Sequence, residues 1–304
     1  MSIAPVIVST NHKGGVGKTT SSRTLAQSLA EIKSFTKGKP ILLVDLDPQG
    51  NTSRRWRLIT PQPNGSYIPK PNPNIGESAD SYSSICDLWL NLLGQGEALI
   101  PEPYTTSNPM IHVVPAHEEL MFEAISVSKE DRPKLGVAMR SWLRSKEIAE
   151  TYCAVIVDTQ PTKTPLIDAA LIAATHVYVP FVPEPQAVEG VYSIISYIYN
   201  LSKQRGSDVP LEILGLLPNK VKNTKLHKLQ MKKIEQLGEH PVFGRYLMPV
   251  KLSDRISYAE TDDWSSVPDQ VTDLEGTNIQ HEARRFAKYV VSRIQKSANQ
   301  EAKV

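Results

Sequence analysis

A glycine-rich segment near the start of the chain holds residue types that bind phosphate. Residues 11–20 read NHKGGVGKTT, after a short apolar run and before a helical pattern. Glycines let a backbone curl until its amides face an anion, a lysine adds a point charge, and a threonine hydroxyl can bind Mg²⁺. The generic pattern G-x-x-x-x-G-K-[ST] begins with glycine where this chain has His12, so only KGGVGKTT remains, with Lys13 in addition to Lys18. The segment predicts a variant phosphate loop, and a glycine-rich turn with incidental lysines is the alternative.

Carboxylates follow two other apolar runs. Asp45 and Asp47 stand in LVDLDPQGN, and Asp158 ends the run AVIVD. Alternation along an extended chain puts Asp45 and Asp47 on the same side, at the carboxyl end of a strand, where α/β sheets build their sites. Four apolar residues that end in an aspartate have the form of a Walker B strand, whose carboxylate meets Mg²⁺ through water. For Asp47, capping of a turn or helix before Pro48 is the alternative.

Taken together, these segments resemble the ParA partition ATPases of the ParA and MinD group. KGGVGKTT resembles the deviant Walker A motif of that group, and DLDPQGN resembles its switch I segment, D-x-D-P-Q-x-N. The resemblance runs with gaps from Pro5 to about Ile294. Many members read D-x-P-P after the Walker B strand, where this chain has Gln160 before Pro161, so the shape of switch II stays open.

The resemblance implies ATP and Mg²⁺ as cofactors and gives the motif residues their roles. The nucleotide would contact Lys13, Gly14, Gly15, Val16, Gly17, Lys18, Thr19 and Thr20. Thr20 would contact the α-phosphate, while Lys18 and the loop amides would hold the β- and γ-phosphates. Segments 180–185 (PFVPEP) and 216–220 (LLPNK) resemble two base-side loops, in which Asn219 would read adenine. A turn-forming asparagine is the alternative for Asn219.

Catalysis and metal binding are implied in the same way. The metal ligands would be Thr19, Asp45 and Asp158, and the catalytic residues would be Lys13, Lys18 and Asp47. Asp47 would orient the attacking water. Lys13 would reach the nucleotide of the opposite subunit in a face-to-face homodimer, because a cation from the partner can offset phosphate charge only where two subunits enclose the nucleotide.

A basic segment follows the second base-side loop. Residues 220–233 contain six lysines, and no acidic residue occurs from 213 to 234. If Asn223 or Thr224 begins a helix, Lys225, Lys228 and Lys232 form a stripe beside an apolar face, which would consist of Leu226, Leu229, Ile234 and Leu237. The resemblance implies non-specific DNA binding by the ATP-bound dimer and stimulation by a ParB-like centromere-binding protein or cargo adaptor. A merely solvated helix face is the alternative for the lysines.

Apolar runs and helical patterns alternate along the chain, and these elements must position the motifs. The runs occupy residues 5–8, 41–44, 111–114, 154–157, 176–182 and 212–217, and helical patterns cover 19–32, 187–201 and 282–294. Most runs are continuously apolar, which favours strands buried on both faces. The sequence predicts an α/β fold of P-loop NTPase type, with a doubly wound, mostly parallel sheet flanked by helices. We expect a single domain over 1–304, with a proline-rich loop insertion at about 57–80.

Composition excludes several classes of protein. Apolar residues make up 40% of the chain and charged residues 22%, with a net charge of +2, as in ordinary globular proteins. Cys86 and Cys153 have no metal or redox spacing, which argues against the cluster-binding electron-transfer relatives. We find no membrane-length apolar run and no signal peptide, so we expect a soluble, cytoplasmic, nucleoid-associated protein.

Other functions of the same fold stay open at this point. The main alternative is a MinD-like membrane-associated positioning ATPase, because the last helical pattern has Phe286, Tyr289, Val290 and Ile294 on one face. Small-molecule kinases and amide-ligating synthetases share the fold. A DNA-binding scaffold without enzymatic activity is a further class, although it would have no need of Lys18, Thr19, Asp47 and Asp158 together.

Overall fold

The computed structural model describes residues 3–205, 211–236, 242–254 and 277–301. Its strands, in chain order, are β1 (Val6–Ser9), β2 (Ile41–Leu46), β3 (Ile59–Pro61), β4 (Tyr67–Pro69), β5 (Tyr104–Thr105), β6 (Ile111–Val114), β7 (Ala154–Thr159), β8 (His176–Phe181) and β9 (Glu212–Pro218). Its α-helices are α1 (Lys18–Ala30), α2 (Lys33–Thr36), α3 (Asn51–Arg55), α4 (Glu118–Ser126), α5 (Arg132–Leu143), α6 (Lys146–Thr151), α7 (Pro165–Ala173), α8 (Ala187–Gln204), α9 (Lys225–Gln236), α10 (Phe243–Tyr246) and α11 (Asn278–Glu301).

The apolar runs assemble into one seven-stranded sheet of order β5-β6-β2-β7-β1-β8-β9. Its pairs are parallel except for β5 with β6, so the predicted doubly wound, mostly parallel sheet is confirmed. Two strands run further than predicted, because β2 continues to Leu46 and β7 to Thr159. Asp45 and Asp158 therefore lie inside strands, near the carboxyl edge where the connecting loops meet.

Helices cover both faces of the sheet, and each face has its own core. Neighbouring residues of a strand alternate between the two cores: Val8 belongs to the core beneath α7 and α8, and Ile7 to the core beneath α1 and α11. Because both faces are covered, the central strands are apolar at nearly every position instead of at every second one. On this second face, α1 packs against β7 and α11 against β9, and the two helices contact each other.

The final helix, α11, uses its apolar face inside the protein. Ala283, Phe286, Ala287 and Val290 are fully buried, and the Phe286 ring lies edge-on to Tyr178 with centroids 5.4 Å apart. The face that a MinD-like protein would lay on a membrane is thus occupied by the core. Across the described ranges, no helix combines the length and apolarity that crossing a bilayer requires.

The expectation that 57–80 is loop throughout is wrong in part. Strands β3 and β4 form an antiparallel hairpin in which Ile59 pairs with Pro69 and Pro61 with Tyr67. Pro61 and Pro69 are the last residues of the two strands, where a missing amide donor costs little. Proline in this segment therefore excludes a central strand but not a two-stranded hairpin. Gly65, with φ of 86°, forms the turn, and its amide donates to the Gln62 carbonyl at 2.9 Å.

The predicted apolar face of α9 is wrong in part. Ile234 is buried as predicted, but Leu226 and Leu229 are 49% and 50% exposed, and the helix buries His227 and Gln230 in their place. The loop before the helix sets this rotation, because His227 Nδ1 accepts from the Lys222 amide at 3.1 Å and the Thr224 hydroxyl accepts from the His227 amide at 3.2 Å. Thr224 caps the helix as expected. Leu237, also assigned to the apolar face, lies outside the described residues.

Candidate nucleotide site

The phosphate-loop segment lies between the end of β1 and the start of α1, as predicted. Asn11 fixes its first turn, because its Nδ2 donates to the Pro180 carbonyl at 2.8 Å and its Oδ1 accepts from the Lys13 amide at 2.9 Å. Lys18 is the first residue of α1, so the loop amides and the helix N-terminus occupy the same place. A backbone of this form offers its donors to an anion.

Gly17 needs to be glycine for two reasons. Its φ is 81°, in the left-handed region that L side chains rarely adopt, and it immediately precedes α1. A Cβ at this position would lie 2.4 Å from Nδ2 of Asn219. The close approach exists because that Nδ2 donates to the Val16 carbonyl at 2.8 Å and to the Gly17 carbonyl at 3.2 Å.

Asn219 therefore contacts the phosphate loop from the end of β9. Its Oδ1 accepts from the Lys220 amide at 2.9 Å, so the side chain also forms the turn that the sequence left open. Both side-chain atoms have protein partners in the described structure. A role for Asn219 at adenine stays a prediction, and it requires the amide to exchange the Val16 carbonyl for the base.

Lys18 is buried in the site, with a relative exposure of 6%. Its Nζ lies 3.4 Å from the Lys13 carbonyl, to which it donates. Burial lowers the pKa of Lys18, and the carboxylates of Asp158 and Asp47 act in the opposite direction. A buried ammonium next to carboxylates and a glycine loop is suited to hold phosphate oxygens.

Two aspartates face each other across the strands beside the loop. Asp45 of β2 and Asp158 of β7 are direct neighbours in the sheet, and neither has any exposed surface. Burial raises the pKa of both carboxyls, and for Asp45 the nearby Asp158 raises it further. Two buried carboxyls on neighbouring strands repel each other once both ionise, and a cation between or beside them relieves that repulsion.

The first turn of α3 supplies partners that sequence reasoning missed. The Ser53 amide and hydroxyl both donate to Oδ2 of Asp45, at 2.8 and 2.6 Å, and the Thr52 hydroxyl donates to Oδ2 of Asp158 at 2.8 Å. Ser22 of α1 adds a longer bond of 3.4 Å to Oδ1 of Asp158. The signal was the pair Thr52-Ser53 directly after DPQGN, hydroxyl residues at a helix start behind carboxylates.

Asp47 follows β2 and is almost completely buried, at 6% exposure. Its Oδ1 accepts from the Gln49 amide at 3.0 Å, so the turn-forming alternative describes this conformation. Burial raises the pKa of Asp47, while the Gln49 bond and Lys18 lower it. A catalytic role for Asp47 stays a prediction.

Lys13 behaves differently from Lys18. Its side chain is 48% exposed, and its Nζ forms an ion pair of 2.7 Å with Oε2 of Glu184 in the segment PFVPEP. The two lysines of the loop are therefore directed to different places, Lys18 into the buried site and Lys13 to the surface beside it.

The donors present fit Mg²⁺ bound together with nucleotide phosphate. The Thr19 hydroxyl bonds to the fully buried Asp158 carboxylate, and the repulsion between Asp45 and Asp158 is the kind that a divalent cation offsets. In the described part of the chain, no three His, Cys, Asp or Glu side chains form a cluster able to hold a metal. Two carboxylates beside a phosphate loop suit Mg²⁺, which keeps several waters and takes one or two carboxylates plus substrate phosphates.

The three predicted DNA-binding lysines belong to α9, outside the phosphate loop and the two carboxylate strands. Lys225, Lys228 and Lys232 are all exposed on α9. Each of these lysines stands two residues before a member of the buried stripe, which consists of His227, Gln230 and Ile234. Two residues correspond to a rotation of about 200° around the helix axis, so the lysine stripe points outward. The lysines therefore occupy the outer side of the helix and not the flank of its buried face.

A glycine loop between the first strand and first helix, with buried carboxylates on two neighbouring strands, defines a P-loop nucleotide hydrolase. Comparisons with known proteins agree. A family model for the AAA domain matches residues 4–211. The chain is 28% identical over 288 residues to the chromosome-partitioning ATPase Soj of Thermus thermophilus, covering 94% of this chain and 95% of the relative.

A second relative and a solved structure extend the comparison. Identity is 30% over 212 residues with the sporulation initiation inhibitor protein Soj of Bacillus subtilis, covering 68% of this chain and 70% of the relative. The ATP complex of McdA from Cyanothece has the same fold, with a TM-score of 0.69 at 16% identity over 96% of this chain and 98% of that chain. The chain belongs to the AAA domain family, within its ParA and Soj group of partition ATPases. The resemblance read from KGGVGKTT and the predicted ATPase class are confirmed.

Proposed function

We propose that this ATPase segregates DNA by binding Mg-ATP between two copies of itself. In the proposal the homodimer coats DNA without sequence preference and hydrolyses ATP when a ParB-like centromere-binding protein or cargo adaptor stimulates it. The chain acts as one deviant-Walker ATPase domain over 1–304, in the cytoplasm and on the nucleoid. The observation that carries the proposal is the divergence of the two loop lysines, because Lys18 is buried in its own site and Lys13 is half exposed beside it.

Each residue of the site has a defined task in this proposal. Lys18 and the amides of Gly14 to Thr19 hold the β- and γ-phosphates, and Thr20 contacts the α-phosphate. Thr19 and Asp158, with Asp45 behind them, hold Mg²⁺, which offsets phosphate charge when bound. Asp47 orients the attacking water, and its burial keeps bulk water from competing for that position. Lys13 contributes its charge to the nucleotide of the opposite subunit.

DNA binding is assigned to the outer face of α9. Lys225, Lys228 and Lys232 stand three and four residues apart, so their side chains follow one line along the helix. No acidic residue occurs from 213 to 234, and the first carboxylate after this line is Glu235, three residues beyond Lys232. A symmetric dimer presents the line twice, which raises affinity for a long polyanion without any base contact.

The deciding experiment measures nucleotide-dependent dimerisation. Light scattering is recorded for the native chain and for Lys13→Ala with saturating ATP and with ADP, beside separate measurements of ATP binding. We expect the native chain to dimerise with ATP only, and Lys13→Ala to bind ATP as a monomer. A native chain that stays monomeric under saturating ATP would refute the proposal that two subunits enclose the nucleotide.

A further inference from the structure

Glu184 forms an ion pair with Lys13. Its Oε2 accepts from Lys13 Nζ at 2.7 Å, and the two side chains are 45% and 48% exposed. The backbone around Glu184 is fixed, because its amide donates to the Val182 carbonyl at 2.8 Å and its carbonyl accepts from the Ala187 amide at 2.9 Å. The carboxylate is thus presented from a stiff turn between β8 and α8, flanked by prolines on both sides.

Glu184 also has cationic neighbours besides Lys13. The hydrogen bond and charge of Lys13, and then the charges of His227 and Lys222, lower the pKa of the Glu184 carboxyl. His227 and Lys222 belong to α9 and to the loop that leads into it. Lys222 is in turn 3.5 Å from Asp254. When Lys13 departs, the carboxylate keeps the charge of Lys222 nearby and is 45% exposed to water, so the ion pair can open without leaving an unsolvated anion.

We propose that Glu184 is a positioning residue for Lys13, which it retains in the monomer and releases only to the phosphates of the opposite subunit. The inference rests on the proposed function, since it concerns the same lysine in the same dimer. Its physical basis is competition for one ammonium between a single exposed carboxylate and a bound nucleotide. Opening the pair costs the same with either nucleotide, so Glu184 weakens both dimers by the same factor, and ATP with its extra phosphate overcomes that cost better than ADP.

The size of the effect follows from the exposure of the pair. Exposed ion pairs contribute little, so releasing Lys13 in advance strengthens the dimer by up to about five-fold per subunit and no more. Salt screens such a pair, because the Debye length falls from about 10 Å at 0.1 M to about 3 Å at 1 M. A steric or folding effect of the same substitution would not depend on salt in this way.

The test compares Glu184→Gln with Glu189→Gln. Both substitutions remove one carboxylate, and Glu189 is an exposed residue of the first turn of α8 that serves as the charge-matched control. The dimer dissociation constant is measured by sedimentation with ATP and with ADP, in about 0.05 M and about 1 M salt, beside the ATP affinity of the monomer. We expect Glu184→Gln to dimerise more tightly by the same factor with either nucleotide, most visibly at low salt, with unchanged monomer affinity for ATP and no change in Glu189→Gln.

Two results would overturn the inference. Glu184→Gln that dimerises like the native chain shows that the pair has no influence, and weaker dimerisation shows that Glu184 supports the assembled state instead. Both differ from failure of the proposed function, in which the native chain forms no dimer with ATP. A second measurement tests the contact itself by NMR on protein with ¹³C-methylated lysines and without nucleotide. The Lys13 signal is assigned by its loss in Lys13→Arg. Its chemical shift should change in Glu184→Gln and not in Glu189→Gln. An unmoved signal contradicts the inference whatever the dimer does.

Discussion

Replacing Lys225, Lys228 and Lys232 together by alanine should remove most of the salt-dependent DNA binding. From Lys225 to Lys232 the stripe covers seven steps along the helix, about 10.5 Å along its axis at about 1.5 Å per residue. Phosphates of one DNA strand recur about every 3.4 Å along the duplex axis, so three lysines can reach three successive charges. Because all three side chains are exposed on the outer side of α9, none has to leave a buried position to make the contact.

The expected magnitude follows from counterion release. Each neutralised phosphate contributes a slope of about 0.9 log units per log unit of salt, so three contacts give about 2.7 and a dimer with six gives about 5.4. Between about 50 and 200 mM salt, six contacts correspond to roughly a 1,000-fold loss of affinity in the native dimer. The triple alanine variant should lack this part of the slope and bind weakly even at low salt.

The assay is fluorescence anisotropy with unrelated duplexes, in saturating ATP, across a salt series. The control is Lys33→Ala, Lys70→Ala and Lys129→Ala combined, which removes the same charge from exposed lysines outside α9. If the triple α9 variant keeps the native affinity and slope, or if the control loses as much, the assignment of DNA binding to α9 is wrong. An ATP-bound native dimer without any DNA affinity would reject DNA as the partner altogether.

Three further predictions concern the nucleotide site. Lys18→Ala should abolish ATP binding, because it removes the ammonium that binds the phosphates, whereas Asp47→Ala should bind ATP without hydrolysing it, because it removes only the group that positions water. Binding is measured with a fluorescent nucleotide and hydrolysis by phosphate release. Hydrolysis at the native rate in Asp47→Ala would contradict the role assigned to Asp47. Gly17→Ala should lower the melting temperature and ATP affinity, because its Cβ meets Asn219 at 2.4 Å. Gly94→Ala is the control, because Gly94 also has a positive φ, 70°, but a Cβ there would meet no atom within 4 Å. An equal loss of stability in Gly94→Ala would mean that backbone strain of about 1–2 kcal/mol, and not the contact with Asn219, explains the effect of Gly17→Ala. Ser53→Ala should cost about 1–3 kcal/mol in chemical denaturation, because Asp45 and the Ala116 amide each lose a partner, and a native stability would show that water replaces the hydroxyl.

The sheet and the phosphate loop were predictable because their signals are local. Continuously apolar runs predict strands covered on both faces, and each predicted run became a strand that shifted by at most two residues at an end. The loop motif predicts its own surroundings, since KGGVGKTT has to follow a strand and begin a helix. Asp45 and Asp158 became sheet neighbours because each ends an apolar run, although the strand order itself was not read from the sequence.

What escaped prediction depends on contacts between distant segments. The rotation of α9 is set by His227 and the Lys222 amide, and a periodicity argument that assigns leucines to the core has no access to that bond. The ion pair of Lys13 with Glu184 joins residues 171 positions apart. Proline density hid the β3–β4 hairpin, because the rule against proline applies to central strands and not to the ends of a two-stranded ribbon.

The hairpin contacts the helix that supports the two buried carboxylates. Arg54 of α3 lies over the Tyr67 ring of β4, with its guanidinium carbon 3.6 Å from the ring centroid, and the Tyr67 amide donates to Glu118 of α4 at 2.9 Å. The first turn of the same helix α3 donates to both buried carboxylates, through Ser53 to Asp45 and Thr52 to Asp158. A shift of these carboxylates toward a cation therefore pulls on α3 at one end, while the hairpin restrains it at the other. The 57–80 segment thus contacts the helix that supports both carboxylates of the candidate site, through one stacked arginine.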